Sequence, residues 1–410
     1  MIHKQRKTSL QDFAKELLPL ELHQFIPSSF EIVGDIAIIE IPKELIQYDK
    51  ILGESILKVN PAMKTVLKKA GLHGGEFRTQ PLEYLAGEKK TETIYKENEI
   101  QLKIDPGTVY FSARLSTERE NLCSQLKPQS KVLVMFSGCG PYTYVSVRKQ
   151  PNLRRIDSIE LNPEGHKYAL ESLMLNKSSL KKSDLYKQVL EYCRANHLPI
   201  NERLILANLN TLKLQFFNEN VKLFAKTNQF PARELYVESC ENWIFEKTPK
   251  ECYDKLNTLP SGPLYISLKE IKTKENYLIN LILFAQKFEF ILYNSDTEVY
   301  VCDTMQTKAY FLNILEGETL ETVTKYDEIF MPLPKDARLF LDSAFTVANI
   351  NCLVHMYDFV HETGFPQETE FAIQEAAAKF GKLIEIKQTR KVGQYSPGKF
   401  RVCCDFIIKN

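Results

Sequence analysis

A short apolar run that ends at a Gly-x-Gly turn constrains this chain more than any other feature. Residues 131–135 are mostly apolar and lead into Phe136-Ser137-Gly138-Cys139-Gly140-Pro141. A second short run, 156–160, ends in the acid Glu160 about twenty residues beyond the turn. Strand, glycine turn, helix, strand and acid is the order in which an open α/β sheet presents a nucleoside-binding site. The third glycine of a dinucleotide fingerprint is missing, so NAD is a poor candidate.

Bulk composition excludes several classes of protein. The 410 residues predict two or three domains, and the 53 Lys and Arg nearly cancel the 52 Asp and Glu. A nucleic-acid partner would therefore need a local basic patch. Nine cysteines without C-x-x-C spacing indicate reduced thiols rather than a disulfide framework or a zinc site. With no apolar run long enough for a bilayer and no signal peptide, we expect a cytoplasmic monomer with no membrane contact and no metal.

The pattern of elements predicts two domains. Residues 1–118 form a compact α+β domain, with a hairpin around Gly34, a helix over 45–70 and a small antiparallel sheet over 75–115. Residues 119–410 form an α/β domain, and strands 382–391 and 400–408 add a late antiparallel hairpin to its parallel sheet. Residues 178–295 interrupt this domain as a folded insertion of unknown role.

Several segments, in the same order along the chain, resemble the archaeal and eukaryotic type of tRNA (guanine-37 N1)-methyltransferase. The match covers about 30–177 and 298–410. The resemblance implies a class I, Rossmann-like domain that uses S-adenosylmethionine, preceded by a small α+β domain that helps to bind tRNA. The segments are Gly74-Gly75-Glu76-Phe77-Arg78, the stretch 109–119, the glycine turn with Glu160-Leu161-Asn162-Pro163, and the tail from 355 to 406.

The chemistry implied by the resemblance moves a methyl group from a sulfonium to guanine N1. That nitrogen carries a proton, so a carboxylate must remove it, and a cation should stabilise the charge that collects on O6. The resemblance places the base at Glu118 and the guanidinium at Arg78. Considered alone, Glu118 also fits an acid at a helix N-terminus and Arg78 an ion pair at the surface.

Two positions depart from the family pattern. Pro332-Leu333-Pro334 stands where the family has Asn-Pro-Pro or Asn-Leu-Pro, so Pro332 and Pro334 occupy catalytic positions without the asparagine amide. Proline has no side-chain donor and no backbone N–H, and losing one buried hydrogen bond costs about 1–3 kcal/mol. Val134 replaces a family aspartate.

The resemblance also implies cofactor and RNA contacts. Aromatic residues at 110 and 111 either face the sulfonium or pack between the sheets. Asp303 is assigned to the adenine, with Asn208 and Asn210 as competitors. The cofactor residues are Tyr110, Phe136, Ser137, Gly138, Gly140, Pro141, Glu160, Asn162 and Asp303. The RNA-binding residues are Arg114, Arg119, Arg390, Lys391 and Lys399, with Lys64, Lys68, Lys69 and Arg401 as further cations, and each fits a solvated charged face equally well.

Two other functions stay open at this point. The related wyosine-pathway enzymes act on the same tRNA position, by aminocarboxypropyl or methyl transfer. A non-catalytic tRNA-binding relative is the third hypothesis, suggested by Pro332 and Val134.

Overall fold

The computed structural model describes residues 9–71, 74–195 and 325–410, with short pieces between them at 205–206, 214–218, 220–222, 225, 264–266, 290–293 and 299–302. The chain divides into two compact units. The first comprises Met1–Leu126, Ser137–Pro151 and Glu160–Ser183, and the second comprises Lys127–Phe136, Asn152–Ile159 and Asp184–Asn410. The predicted boundary after residue 118 stays a prediction.

The first unit begins with a four-stranded sheet in the order β1-β2-β3-β4 and two helices. These elements are α1 (Leu10–Lys15), β1 (Glu31–Val33), β2 (Ile36–Ile39), α2 (Asp49–Val59), β3 (Thr65–Lys69) and β4 (Leu82–Gly87). The predicted hairpin around Gly34 is present. The helix predicted over 45–70 is wrong in its second half, because Thr65, Val66 and Leu67 are buried in a strand parallel to β2. The β-branched pair at 65–66 suits that setting.

A two-stranded hairpin and four helices complete the first unit. They are β5 (Thr93–Glu97), β6 (Ile100–Ile104), α3 (Ser116–Cys123), α4 (Pro141–Lys149), α5 (Pro163–Leu175) and α6 (Lys177–Leu180). Two side chains at the C-terminal end of α5, Ser172 in its last turn and the C-cap Asn176, bond to the edge of β6. The Asn176 side chain accepts a 2.9 Å bond from the Gln101 N–H and donates a 2.6 Å bond to its carbonyl, and Ser172 Oγ accepts from the Lys103 N–H at 2.9 Å.

The second unit contains a seven-stranded sheet. Its elements are β7 (Lys131–Met135), β8 (Arg155–Ile159), α7 (Asp184–Ala195), β9 (Leu214–Phe217), β13 (Tyr326–Met331), α8 (Leu341–Val347), β14 (Ala348–His361), α9 (Gln367–Lys379), β15 (Ile384–Ser396) and β16 (Lys399–Ile408). A separate three-stranded sheet contains β10 (Leu264–Ile266), β11 (Phe290–Tyr293) and β12 (Val299–Cys302). Short 3-10 helices lie at Leu20–Phe25, Lys43–Tyr48, Ala113–Leu115, Ala337–Phe340 and Glu362–Gly364.

The strand order of the large sheet is β15-β16-β14-β13-β7-β8-β9. Pairs from β14 through β9 are parallel, and β16 is antiparallel to both of its neighbours. This arrangement confirms the predicted Rossmann-like methyltransferase layout with a late hairpin. Alternate residues of β7, β13, β14 and β16 pack with α8 and α9 in one apolar core, as the two-residue period of strands requires. In the described part of the chain, no helix is both long and apolar enough to cross a bilayer.

Candidate active site

The glycine turn after β7 has an unusual backbone. Phe136, Gly138 and Gly140 have φ angles of +57°, +56° and +84°. Positive φ is ordinary for glycine, but an aromatic residue adopts it only where the surrounding structure enforces it, and such residues cluster at functional sites. Phe136 packs edge-on against Phe340 with ring centroids 4.8 Å apart. Pro141 then occupies the first turn of α4, where its missing N–H is not needed.

Glu160 reaches back from the end of β8 to the turn. Its carboxylate accepts a 2.6 Å hydrogen bond from the Gly138 N–H and a 2.7 Å bond from the Asn162 N–H. Burial raises the pKa of Glu160, and these N–H donors act against that rise. A Cβ at Gly165 would lie 3.1 Å from Glu160 Cγ, so α5 approaches this carboxylate closely. Two of the predicted cofactor residues, Gly138 and Glu160, are therefore joined directly.

The loop before α3 borders the same turn. Asn162 caps α5 by accepting a bond from the Glu164 N–H, and its amide donates a 2.7 Å bond to the Thr108 carbonyl. A Cβ on Gly138 would lie 3.5 Å from the Tyr110 carbonyl oxygen. The side chain of Asn162 thus serves to join the loop to α5, and the backbone at Tyr110 forms part of the rim of the turn.

Two buried polar atoms near this turn have no hydrogen-bond partner among the described residues. They are Ser137 Oγ, in a residue that is 3% exposed, and His166 Nδ1, in the first turn of α5. An unsatisfied buried group costs about 1–3 kcal/mol, so each calls for an explanation. Burial also lowers the pKa of His166 to about 4 and raises the pKa of the Cys139 thiol to about 12. Cys139 is accordingly a protonated thiol at neutral pH, whereas the Ser137 hydroxyl is a buried group whose hydrogen bond is not made by the described residues.

The predicted base, Glu118, and the predicted guanidinium, Arg78, lie in the first unit. Arg78 ends a tight turn in which Gly74 pairs with Thr79, and its own φ is +53°. Its N–H donates to the Gly75 carbonyl at 3.3 Å, and its side chain is partly exposed. Glu118 lies in the first turn of α3 and is also partly exposed. A strained arginine and a partly exposed carboxylate are compatible with a reactive site, and their roles remain a proposal.

Arg119 is not available for RNA, which corrects the sequence-based prediction. Its side chain is 2% exposed and bonds to both oxygens of Glu97, at 2.6 Å from Nε and 2.5 Å from Nη2. The guanidinium also donates to the Ser112 carbonyl at 3.1 and 3.2 Å and lies 5.2 Å from the Phe111 ring centre. A phosphate cannot reach a guanidinium that is buried and paired in this way, so Arg119 holds the 111–119 segment in place.

The Pro332-Leu333-Pro334 segment follows β13 in the second unit. Pro334 is buried and Pro332 is partly buried. The Leu333 carbonyl accepts the Ala337 N–H at 2.9 Å, which starts the following 3-10 helix. The segment offers backbone carbonyls and proline rings, and the side-chain amide that the family pattern has at this place is absent from it.

The remaining predicted RNA contacts differ in how they are engaged. Arg114 and Lys399 are exposed. Arg390 bonds to the buried Asp405, while Lys391 pairs with Glu362 at 3.0 Å. Among the further cations, Lys68 bonds to Asp49 at 2.7 Å, Lys69 bonds to Glu31 at 2.8 Å, and Lys64 is exposed. Asp303 and its competitors Asn208 and Asn210 lie outside the described residues.

A buried charge network in the second unit was missed by the sequence analysis. His355 bonds through Nε2 to Glu328 at 2.9 Å and through Nδ1 to Asp405 at 2.7 Å, and Asp405 also accepts from Gln388 and Arg390. Burial alone would lower the pKa of His355, but the two carboxylates raise it to about 9. The sequence signal for this network was a polar residue in the middle of each of three mostly apolar strands, β13, β14 and β16.

The same cluster is the candidate metal site of the described region. One ligand atom from each of His355, Cys403 and Asp405 lies within 4.8 Å of the others. Both imidazole nitrogens already bond to carboxylates, and Asp405 bonds to a guanidinium. Glu328 and Asp405 carry two negative charges, and protonated His355 and Arg390 carry two positive ones. The cluster is therefore neutral without a metal ion, and an added cation would meet unfavourable charge.

Comparison with known proteins finds similarity to one group of methyltransferases. Residues 10–91 match the model of the TYW2 N-terminal domain, and residues 93–213 match the TRM5/TYW2 methyltransferase domain. The tRNA (guanine(37)-N(1))-methyltransferase Trm5b of Pyrococcus abyssi is 42% identical over 160 residues, which are 39% of this chain and 48% of that protein. The chain thus spans less than half the length of this curated relative.

A second relative extends the match to nearly the whole chain. The tRNA (guanine(37)-N(1))/4-demethylwyosine(37)-methyltransferase Taw22 of Nanoarchaeum equitans is 28% identical over 378 residues, or 91% of this chain and 97% of that protein. The crystal structure of Trm5b from Pyrococcus abyssi superimposes with a TM-score of 0.55 at 25% identity, covering 96% of this chain and 78% of that one. Residues 10–213 are therefore similar to the TYW2 N-terminal and TRM5/TYW2 methyltransferase domains, and nearly the whole chain is similar to Taw22.

Proposed function

We propose that this protein is an S-adenosylmethionine-dependent methyltransferase that forms N1-methylguanosine at position 37 of tRNA. One observation of the structure supports the proposal beyond the similarity to known methyltransferases. Glu160 is bonded to the Gly138 N–H inside a turn whose buried Ser137 hydroxyl has no partner among the described residues. A carboxylate, a backbone turn and an unused hydroxyl together suit a ligand that carries both a ribose and an amino-acid moiety.

The proposed cofactor contacts follow from the chemistry of the groups at the glycine turn. The backbone N–H groups of Gly138 and Asn162 orient the Glu160 carboxylate, which as an acceptor-only group suits the ribose hydroxyls of the cofactor. Ser137 would bond to the amino-acid end of the cofactor, beside the Gly138 and Gly140 backbone. S-adenosylmethionine supplies an electrophilic methyl group when it is bound.

Of the two aromatic residues before α3, Tyr110 is the better partner for a sulfonium. Phe111 already contacts the guanidinium of Arg119 at 5.2 Å and packs edge-on against Tyr95 at 4.9 Å. The carbonyl of Tyr110, in contrast, borders Gly138. An aromatic face attracts a cation most strongly where water is excluded, which makes the rim of the turn a suitable place.

Glu118 and Arg78 would perform the proton and charge chemistry. Glu118 takes the N1 proton of guanine, because that nitrogen must lose it as the new bond forms. Arg78 donates to O6, where the electron density of the deprotonated base collects. Pro332 and Pro334 would border the guanine without supplying a side-chain amide. Arg114, Arg390, Lys391 and Lys399 would contact phosphates, as in other electrostatic RNA interfaces.

A wyosine-pathway activity is the second candidate. The N-terminal family model takes its name from TYW2, and the Nanoarchaeum relative that aligns over 97% of its length is named for both guanosine and 4-demethylwyosine methylation. A tricyclic acceptor presents a larger ring system than guanine at the same tRNA position. Aminocarboxypropyl transfer would use the same cofactor with a different group leaving the sulfonium.

Mass spectrometry of tRNA after incubation with S-adenosylmethionine separates these possibilities. Unmodified tRNA with guanosine at position 37 should gain the mass of one methyl group, and tRNA that carries 4-demethylwyosine tests the second candidate. Glu118→Gln should retain cofactor binding but lower kcat by roughly 100-fold or more, the usual contribution of a general base. Glu120→Gln is the matched control, since Glu120 lies in the same helix and pairs with Lys149. Equal rates for both variants would remove Glu118 from the role of base.

A further inference from the structure

An aromatic and cationic face lies at the far end of the late hairpin, in the second unit. In β14 and β16, Phe359 pairs directly with Arg401 and His361 pairs with Lys399. Directly paired residues in neighbouring strands point to the same side of a sheet, and Phe359 and His361 are two residues apart. These four side chains therefore share one face.

Tyr395 of β15 joins this face. Its ring centroid lies 4.3 Å from that of Phe359, with 40° between the ring planes, and Tyr395 is 58% exposed. The Arg401 guanidinium lies 5.5 Å and the Lys399 ammonium 5.9 Å from the Phe359 ring centre. We call Phe359, Tyr395, Lys399 and Arg401 the Phe359 platform.

The middle of the face is open. Gly393 of β15 pairs with Arg401 of β16, so the glycine occupies the same row as Phe359. A Cβ added to Gly393 would have no heavy atom within 4 Å. The missing side chain leaves room beside the rings for a flat group.

The charge of the face is positive. Moving inward along β16 from Lys399, the next residues on this side are Arg401, Cys403 and Asp405. Asp405 is 4% exposed and already bonds to His355 and Arg390. Around the Phe359 platform, the described side chains of this face therefore carry cations without a nearby unpaired acid.

We infer that the Phe359 platform binds an unpaired nucleotide of RNA, with the base stacked on Tyr395 and Phe359 and the flanking phosphates on Lys399 and Arg401. Rings interleaved with cations are the elements of a single-strand binding surface, because every base has a flat π-face next to a phosphate. An acidic peptide would use the cations but gain little from the rings. In identifying the nucleotide as part of the tRNA substrate, the inference rests on the proposed function.

Binding of a tRNA transcript at several salt concentrations tests the platform. Tyr395→Ala should raise the Kd by about 5- to 160-fold, the range for loss of one stacked base, and leave the salt dependence of binding unchanged. Tyr395→Phe should retain wild-type affinity. Lys399→Ala should reduce the slope of log Kd against log salt by about 0.7, the value for one single-strand phosphate contact. Phe371→Ala is the matched control, because Phe371 is 67% exposed on α9, outside the platform.

The outcomes separate the platform from the proposed chemistry. At saturating tRNA, Tyr395→Ala should methylate with the wild-type kcat, since only binding is weakened. Equal Kd values for Tyr395→Ala and Phe371→Ala would overturn the inference, even if Lys399→Ala weakened binding, because stacking would then be absent. If the wild-type protein bound tRNA but never methylated it, the proposed function would fail, and the Kd comparison would still decide the platform.

Discussion

Removing the charge of Glu97 should destabilise the first unit strongly. Glu97 and Arg119 are each 2% exposed in their side chains and share two hydrogen bonds, at 2.6 and 2.5 Å. Glu97→Gln would leave a buried guanidinium with its two bonds to the Ser112 carbonyl but without its counter-charge. Breaking such a pair from one side costs about 3–5 kcal/mol. We expect that loss in the free energy of unfolding, measured with urea by the change in tyrosine fluorescence or circular dichroism.

A matched pair on the same helix provides the control. Glu120 bonds to Lys149, but the two side chains are 43% and 21% exposed, so Glu120→Gln should lose only about 0–1 kcal/mol. Replacing both Glu97 and Arg119 by leucine and methionine should be less damaging than Glu97→Gln alone, because no charge is left unpaired. A Glu97→Gln protein as stable as the Glu120→Gln protein would refute the reasoning.

Three further predictions concern single side chains. Ser137→Ala should raise the Kd for S-adenosylmethionine about tenfold, measured by calorimetry. The stability of the free protein should not fall, since the Ser137 hydroxyl has no partner among the described residues. An unchanged Kd would contradict the assignment. Gly165→Ala should also raise the Kd for S-adenosylmethionine, because the added Cβ would lie 3.1 Å from Glu160 Cγ and displace that carboxylate. The Kd for tRNA should stay unchanged. His355→Gln should abolish a pH dependence of stability. The carboxylates overcome the effect of burial and raise the pKa of His355 to about 9, so its contribution is complete below about pH 6.5 and is lost as pH rises through 9; urea midpoints between pH 6 and 10 that fall equally in both proteins would exclude this role.

The large sheet was predictable because its signals are local. Short apolar runs that end in a glycine turn or an acid marked β7 and β8, and the resemblance together with the late strands implied a parallel sheet with a late hairpin. The segment 65–69 shows where this logic fails. Its apolar residues continued a helical period after α2, and only pairing with the distant β2 and β4 makes them a strand. Tertiary pairing decides such short segments.

The residues of the candidate site were likewise predictable where their signal is local and missed where it depends on tertiary contacts. The turn and Glu160 were found because their spacing along the chain is itself the signal. The Glu328–His355–Asp405 network was missed because its members are 27 and 50 residues apart and come together only through strand register. Arg119 was misassigned for a related reason. Its partner Glu97 lies 22 residues earlier, and an arginine in a short polar helix looks like a phosphate contact.

The corrected role of Arg119 bears directly on the proposed base. Successive residues of a helix point about 100° apart, so a neighbour of a buried side chain is turned toward another face. Arg119 is fixed by Glu97 and Ser112, whereas Glu118 beside it is partly exposed. The buried pair therefore sets the rotation of α3 and, with it, the direction of Glu118. Replacing both partners by leucine and methionine should accordingly lower kcat although the protein stays folded. The Kd for tRNA should stay unchanged. A double variant with the wild-type kcat would show that Glu118 is oriented by other contacts.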